Sequence, residues 1–312
     1  MSNVCVEYKT RKLSITALNH VSFSIPNSSY TVGIVGESGS GKTTMGMTMM
    51  NAIEPPGRIV EGNVEYNGSD ILRMNERELR KFRWREVSMV YQSAMNSLNP
   101  VKKISDHIVE VLREHSDMSR SDARARAIEL LDEVGIRKNR ADDYPHEFSG
   151  GMRQRAVIAL ALALSPKIMI ADEPTSALDV VVQKQILSLL RNRVREKNLS
   201  LIFITHEISL LCDLVENAIV MYRGEIVETG PIAKLLFDPL HPYTEMLLST
   251  LLTLESKKDN MKLQSAREHY TQNGENYCIY INSCKYAFDR CRKEKPVLRE
   301  IQKGRAASCH RW

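Results

Sequence analysis

No apolar run in this 312-residue chain approaches the ~18–20 residues that cross a bilayer. The longest, Ala156–Leu164, has nine. Any role at a membrane is therefore expected to need partner chains. Residues 1–16 lack the apolar core of a secretory signal, so the expected location is cytoplasmic. No internal repeat is visible, which sets repeat architectures aside. No two cysteines show the tight C-x2-4-C spacing of a zinc knuckle. The body also lacks a basic excess. Residues 257–312 hold 13 Lys/Arg against 6 Asp/Glu, which leaves 30 against 32 in residues 1–256. The net charge of +5 thus belongs to the tail. With 43% apolar residues the chain can bury a sizeable core, as one large or two modest domains.

What is present is more specific. Gly36-Glu37-Ser38-Gly39-Ser40-Gly41-Lys42-Thr43 fits the Walker A pattern. The apolar stretch Thr31–Val35 before it reads as a buried strand, and Thr43-Thr44-Met45 opens a helix. The glycines let backbone N–H groups turn inward as a nest for phosphate oxygens. The helix N-terminus adds the positive end of its dipole. In this pattern Lys42 reaches the β- and γ-phosphates and the Thr43 hydroxyl holds Mg²⁺. The expected nucleotide-binding set is Gly36, Ser38, Gly39, Ser40, Gly41, Lys42, Thr43 and Thr44. Alone, the loop predicts a bound nucleotide phosphate and not what its energy drives.

Further stretches follow in a fixed order. Gln92 comes after Val87–Tyr91, which reads as a strand. Phe148-Ser149-Gly150-Gly151-Met152-Arg153-Gln154-Arg155 precedes the apolar helix Ala156–Leu164. Ile168–Glu173 reads as a buried strand ending in two acids, the Walker B pattern. Ser176-Ala177-Leu178-Asp179 comes next, and His206 follows the strand Leu201–Thr205. Together these resemble the Q-loop, signature, Walker B, D-loop and switch histidine of ATP-binding cassette (ABC) proteins. The signature departs from the usual one by Phe for Leu and Met for Gln. The resemblance implies an α/β fold: a P-loop NTPase of the ABC nucleotide-binding type. It would carry an inserted helical subdomain and an antiparallel β subdomain, here with a small Cys-rich C-terminal extension. It also implies roles. Asp172 and Gln92 would join Thr43 at Mg²⁺. Glu173 would polarise the attacking water, and His206 and Gln92 would complete the catalytic set. Ser149, Gly150 and Gly151 would meet the ATP held by a second, head-to-tail cassette, beside the D-loop Asp179. Tyr8 would stack on adenine; the alternative is that it only packs the first sheet. Ser149 also reads as a plain helix N-cap, and a lone His206 as a structural histidine.

Strands are expected twice within Val4–Ile25, then at Glu61–Tyr66 and as a hairpin, Ala218–Tyr222 with Glu225–Glu228. Helices are expected from the phosphate loop to about Ile53, and at Glu76–Arg85, Ile104–Arg113 and Ser121–Val134. The expected organisation is a cassette over 1–254 (helical subdomain about 96–164), a linker over 255–276 and a Cys-rich domain over 277–312. Pro56–Gly62, Tyr91–Pro100, Val227–Pro231 and His241-Pro242-Tyr243-Thr244 resemble the ATP-binding subunits of oligopeptide/dipeptide (and nickel) importers. The first two segments look like the D-type subunit. The resemblance implies an ATPase coupled to substrate translocation, peripheral at the cytoplasmic face of the membrane. Its partners would be a second ABC ATPase in a heterodimer, two permease subunits and an extracytoplasmic solute-binding protein, with no nucleic acid. Gln92 and the segment after it would touch a permease helix. Three other readings stand beside this one. A soluble ABC ATPase of DNA repair is disfavoured, because only 112 residues separate Gly36 from Ser149. One of translation would carry two cassettes. A non-hydrolysing subunit would not need both Glu173 and His206. Nickel or oligosaccharide remains an alternative cargo.

The tail holds Cys278, Cys284, Cys291 and Cys309, four of the chain's six cysteines, spaced C-x5-C-x6-C-x17-C. In a reducing compartment such a group is more often metal-binding than disulfide-bonded. Looser loops suit the larger cube of a [4Fe–4S] cluster; Zn²⁺ and uncoordinated thiols are the alternatives. Cys284–Cys291 also resembles the C-terminal domain of oligopeptide importer ATPases, some of which carry such a cluster. The usual prolines before the first cysteine are missing. Arg292, Lys293 and Lys295 either balance cluster charge or form a solvated face.

Overall fold

A computed structural model describes residues 1–10, 13–26, 29–92, 94–176, 178–255 and 276–312. The expected linker over 255–276 lies almost wholly outside the described residues, as do Ser93 and Ala177. Strands β1 (Ser2–Lys9), β2 (Ser14–Val21) and β3 (Thr31–Val35) lead to helix α1 (Lys42–Met49). Strands β4 (Gly57–Asn63), β5 (Glu65–Tyr66) and β6 (Ser69–Asp70) follow, then α2 (Glu76–Arg85) and β7 (Val87–Val90). Helices α3 (Ile104–His115), α4 (Arg120–Glu133) and α5 (Gly150–Ala161) come next. After them run β8 (Ile168–Asp172), α6 (Val180–Lys197), β9 (Ser200–Thr205), β10 (Asn217–Tyr222) and β11 (Glu225–Pro231). The last elements are α7 (Ile232–Phe237), α8 (Pro242–Glu255), α9 (Asp289–Lys293), β12 (Arg299–Gln302) and β13 (Arg305–Ala307). Among the described residues, no helix is long and apolar enough to cross a membrane.

The chain divides into two compact units. The first comprises Met1–Ser24, Val32–Val64 and Thr205–Trp312. It holds a three-stranded antiparallel sheet in the order β2-β1-β4. It also holds a run of strands in the order β12-β13-β11-β10-β3, in which only β10 and β3 are parallel. The tail hairpin β12–β13 is therefore an edge extension of the cassette strands, with Ala307 opposite Glu228 and Ala306 opposite Thr229. The second unit is Ile25–Thr31 with Glu65–Ile204. It carries β7, β8 and β9 in parallel register and the helices α3, α4 and α5. Strands β8 and β9 are near-continuous apolar runs and almost wholly buried, as expected of parallel strands covered on both faces.

Local chemistry sets the ends of the elements. Helix α2 starts at Asn75 in a capping box with Glu78, each side chain answering the other's backbone N–H. Helix α3 buries Ile104, Ile108 and Leu112 at i, i+4 and i+8. Full burial of each such side chain stabilises by ~1.5–3 kcal/mol. Helix α1 stops at Met49, short of the expected Ile53. Asn51 turns left-handed at φ 49, and the N–H of Ala52 reaches back to Met47 O while that of Asn51 reaches Thr48 O. This is a Schellman closure, which needs a residue that tolerates the left-handed region. The expected strand Glu61–Tyr66 is divided: β4 ends at Asn63, and β5–β6 form a separate hairpin. Its turn, Asn67-Gly68, has positive φ at both residues (49 and 78), the primed geometry that Asn-Gly favours. The signature helix begins at Gly150 rather than Ala156, because Ser149 caps it by accepting from the Met152 N–H at 3.3 Å.

Candidate nucleotide site and cysteine centre

The first unit carries the phosphate loop. Lys42 is 6% exposed, and its ammonium donates to the Gly36 and Glu37 carbonyls, both at 2.7 Å. It thus sits inside the loop made by residues 36–41. The helix N-cap is Gly41, at φ 100, and it offers no side-chain acceptor. A Cβ there would come within 2.4 Å of the Ala17 carbonyl oxygen, so both backbone angle and space require glycine. No acidic residue occupies the first turn of α1. A helix start with no side-chain cap, no acid and a buried lysine fits a polyphosphate and its cation. The expected ligands Ser38, Gly39, Ser40, Thr43 and Thr44 belong to this same loop and first turn.

One residue of this loop has a partner that the motif does not reveal. The Glu37 N–H donates to the Tyr243 hydroxyl at 2.9 Å, across 206 positions of sequence. Tyr243 is fully buried at the start of α8, and burial pushes its phenol far above the ordinary value. Its ring lies against Tyr222 at 4.6 Å and Tyr280 at 5.5 Å. Tyr243 lies in the His241-Pro242-Tyr243-Thr244 segment, but only the three-dimensional contact gives it a task. The sole sequence signal was a large aromatic next to a proline-started helix. Tyr8, from β1, is half-buried with its ring edge over Gly57; a Cβ on Gly57 would lie 2.7 Å from that ring. His206 also lies in the first unit, half-exposed, 3.7 Å from the Glu207 carboxylate.

The second unit carries the acids. Asp172 ends β8 and is 1% exposed. Glu173 follows at φ 45, a left-handed backbone uncommon for a non-glycine residue, held by its N–H donating to Ile204 O at 2.9 Å. The Gln92 amide donates to Glu173 Oε2 at 3.1 Å, so the structure brings these two expected site residues together. Asp179 accepts from the Val181 and Val182 N–H groups, both at 3.0 Å, and so caps α6. Ser149 caps α5 in the same way. Gly151 is needed for packing, since a Cβ would meet Val182 Cγ1 at 2.5 Å.

The four tail cysteines surround one small space, together with His241, Tyr280, Tyr286, Phe288 and His310. All four are free thiols; Cys278 and Cys291 are buried and Cys284 and Cys309 partly so. The Cys278 N–H donates to Cys291 O at 2.9 Å, which ties the two segments together. Burial, and then the neighbouring thiols, pushes Cys278 up to about 11; Cys284 and Cys309 are raised for the same reasons. No three of these sulfurs lie within 4.8 Å of one another. A closed zinc site with Zn–S bonds of about 2.3 Å needs sulfurs about 3.8 Å apart. Four sulfurs converging on one space are a donor set that suits a thiolate-held metal group.

Comparisons with known proteins agree with this geometry. Residues 18–176 match the ABC transporter family, and residues 227–291 match the oligopeptide/dipeptide transporter C-terminal region. The chain is 39% identical over 312 residues to the dipeptide transport ATP-binding protein DppD of Escherichia coli (strain K12), covering 99% of this chain and 95% of that protein. It is 43% identical over 259 residues to the oligopeptide transport ATP-binding protein OppD of Bacillus subtilis (strain 168), covering 82% and 72%. Among solved structures, the dimeric post-hydrolysis state of the ATP-binding cassette MJ0796 bound to ADP and Pi superimposes with a TM-score of 0.66 at 30% identity. That match covers 74% of this chain and 97% of the other.

Proposed function

Since this chain belongs to the ABC transporter family of ATP-binding proteins, we propose that it is the ATP-hydrolysing subunit of an importer for dipeptides or oligopeptides. The carrying observation is the full-length likeness, at 39% identity, to a dipeptide transport ATP-binding protein. The match of residues 227–291 to the oligopeptide/dipeptide C-terminal region supports the cargo class. Under this reading the chain works through a heterodimer with a second cassette ATPase. The assembly has two permease subunits, a helix of which meets Gln92 and the segment after it, and a solute-binding protein delivers the cargo. The location is then peripheral, on the cytoplasmic side of the membrane. The cassette spans 1–254, with its helical subdomain over about 96–164, and 277–312 form the Cys-rich extension.

The residue roles follow from what phosphoryl transfer needs, which is positioning and charge stabilisation. Tyr8 lies against the base. Gly36, Ser38, Gly39, Ser40, Gly41 and Thr44 wrap the phosphates with backbone N–H groups. Lys42 leaves its two loop carbonyls for the β- and γ-phosphate oxygens. Thr43, Gln92 and Asp172 would hold Mg²⁺, which would neutralise charge on the transferring group. Glu173 accepts the proton of the attacking water, and His206 contacts the γ-phosphate. The hydrogen bond from Gln92 to Glu173 links the cation-binding glutamine to the base. Ser149, Gly150, Gly151 and Asp179 face the ATP held by the partner cassette. The closed dimer binds ATP more tightly than the open one, so ATP drives closure and hydrolysis reopens it.

For the tail, Cys278, Cys284, Cys291 and Cys309 are the ligands of a [4Fe–4S] cluster, which would staple a segment with little core of its own. Anaerobically prepared Cys284→Ser should lose iron and brown colour relative to the unmodified chain; equal iron content removes the cluster. For the importer, a tagged pull-down from native membranes should recover two multi-span permeases, a second cassette ATPase and a solute-binding protein. Recovery of ribosomal or DNA-repair partners alone would overturn the transport reading.

A further inference from the structure

Three strands of the β2-β1-β4 sheet bring to one point three side chains that are not among the residues assigned to ATP. Cys5 comes from β1, His20 from β2 and Glu61 from β4. Their sulfur, nitrogen and oxygen atoms all lie within 4.8 Å of one another. Glu61 Oε2 stands 4.0 Å from Cys5 Sγ and 3.9 Å from His20 Nδ1. Ligand atoms bound tetrahedrally to one zinc-sized cation, at about 2.0–2.3 Å, sit about 3.3–3.5 Å apart. The Glu61 carboxylate, half-exposed at 52%, closes that difference by a small side-chain movement.

The backbone is shaped around this point. Strand β1 slips register against β2 between Val4 and Val6, and against β4 on both sides of Cys5. Such bulges re-aim side chains, and they are commonest where a site needs it. Asn3 and His20 are both left-handed, at φ 52 and φ 51, a cost that ordinary sheet pairing does not require. Gly62, next to Glu61, is at φ 88, and a Cβ there would lie 2.4 Å from Asn3 O. Strain thus gathers at the residues that carry or adjoin the three donors.

A second layer is in place as well. The His20 backbone N–H donates to Cys5 Sγ at 3.2 Å, which fixes the sulfur on the side of β2. Asn3 donates its amide to Glu61 Oε1 and faces His20 Nδ1 with its oxygen at 2.9 Å. Asn3 therefore holds Glu61 in place, and its oxygen stands at the same His20 nitrogen that would take the cation. Binding through Nδ1 requires the imidazole proton to move to Nε2.

We propose that Cys5, His20 and Glu61 bind one first-row divalent transition-metal cation of the Zn²⁺ class, with Asn3 Oδ1 or water as the fourth ligand. One sulfur, one nitrogen and one oxygen select a borderline cation; Mg²⁺ and Ca²⁺ prefer oxygen alone. Binding releases the Cys5 thiol proton, and the cation ties β1, β2 and β4 together.

The test is Co²⁺ titration of the full chain, stripped of metal and kept reduced. Cobalt–thiolate charge-transfer absorption reports sulfur ligation, and Zn²⁺ competition gives the affinity. Because the tail cysteines are themselves proposed metal ligands, Cys5→Ala and His20→Asn are each made in the Cys284→Ser background and compared with Cys284→Ser alone. Asparagine tolerates the left-handed backbone at position 20, so this variant keeps the fold while removing a ligand. The site should persist in Cys284→Ser and lose its sulfur absorption in Cys5→Ala. In His20→Asn it should weaken by more than the ~10–100-fold that outer partners are worth. Zn²⁺ should also raise the Tm of Cys284→Ser and not that of the Cys284→Ser/His20→Asn double variant. The proposal is overturned if, in that background, Co²⁺ stoichiometry and spectrum are the same with Cys5→Ala as in Cys284→Ser alone, or if adding His20→Asn leaves the affinity unchanged.

Discussion

Replacing Tyr243 by Phe removes one oxygen from the protein and one acceptor from the phosphate loop. The ring remains, so its contacts with Tyr222 at 4.6 Å and Tyr280 at 5.5 Å are kept. What is lost is the bond from the Glu37 N–H at 2.9 Å. A buried N–H left unpaired costs about 1–3 kcal/mol, and an ordinary bond nets ~0.5–1.5 kcal/mol. Glu37 is an exposed residue, so water can partly answer its N–H, and the lower range applies, about 1 kcal/mol. For a domain of this size that lowers Tm by ~2–4 °C. The loop then enters the complex less ordered. If nucleotide binding must restore that order, affinity for ATP falls by about fivefold, the factor that ~1 kcal/mol gives. The turnover rate at saturation should hardly change, because Tyr243 does not touch the reacting atoms. The assay is ATP affinity by calorimetry beside KM, kcat and Tm. A lowered Tm with unchanged ATP affinity would refute the reasoning and leave Tyr243 as a packing residue of α8 alone.

Other expectations follow from the same structure. Glu173→Gln should lower ATP turnover by ~10²–10⁴-fold, the usual worth of a general base, while ATP is still bound; phosphate release at the unmodified rate would exclude the assigned role. Arg305 is buried with Glu228, at 3.8 Å, and reaches the Asp238 carboxylate at 2.8 Å. Arg305→Met should cost ~3 kcal/mol or more by leaving Glu228 buried without its cation; Glu228→Gln added to it, which removes the charge and keeps an acceptor for the Leu240 and His241 N–H groups at 2.9 Å, should recover part of that loss, and urea denaturation of the single and double variants checks both. Burial opposes ionisation of Glu245, but hydrogen bonds from Arg311, Lys285 and Tyr286 outweigh it, so its carboxyl is held below the ordinary value. A lowered carboxyl contributes stability that is present above about pH 4.5 and lost as pH falls through the folded value. Fluorescence of Trp312, whose indole donates to Leu240 O at 2.9 Å, should report this acid step in a Trp84→Phe background, and Glu245→Gln should remove it.

The phosphate loop, the paired acids and the signature were legible because each is a contiguous run in which chemistry dictates residue type. A backbone nest needs glycine, a phosphate needs Lys42, and a cation at a strand end needs Asp172. The parallel strands were legible from their apolar runs. The early end of α1 was not, because it rests on the left-handed turn of Asn51, which propensity does not reveal. The tail hairpin was also hidden. Arg-Glu-Ile-Gln and Arg-Ala-Ala carry little strand propensity and become strands because the free edge of β11 offers them a ladder. The least visible features join residues far apart in sequence. Glu37 and Tyr243 are separated by 206 positions, and Cys5, His20 and Glu61 come from three strands whose registers slip only locally. The tail cysteines could be counted, but their surroundings could not. Tyr280, which lines their space, packs on the ring whose hydroxyl holds the phosphate loop. Segments that read as an ATPase and a separate Cys-rich extension therefore stand one aromatic contact apart, and this is why Tyr243→Phe, which leaves that contact intact, isolates the loop's share of the coupling.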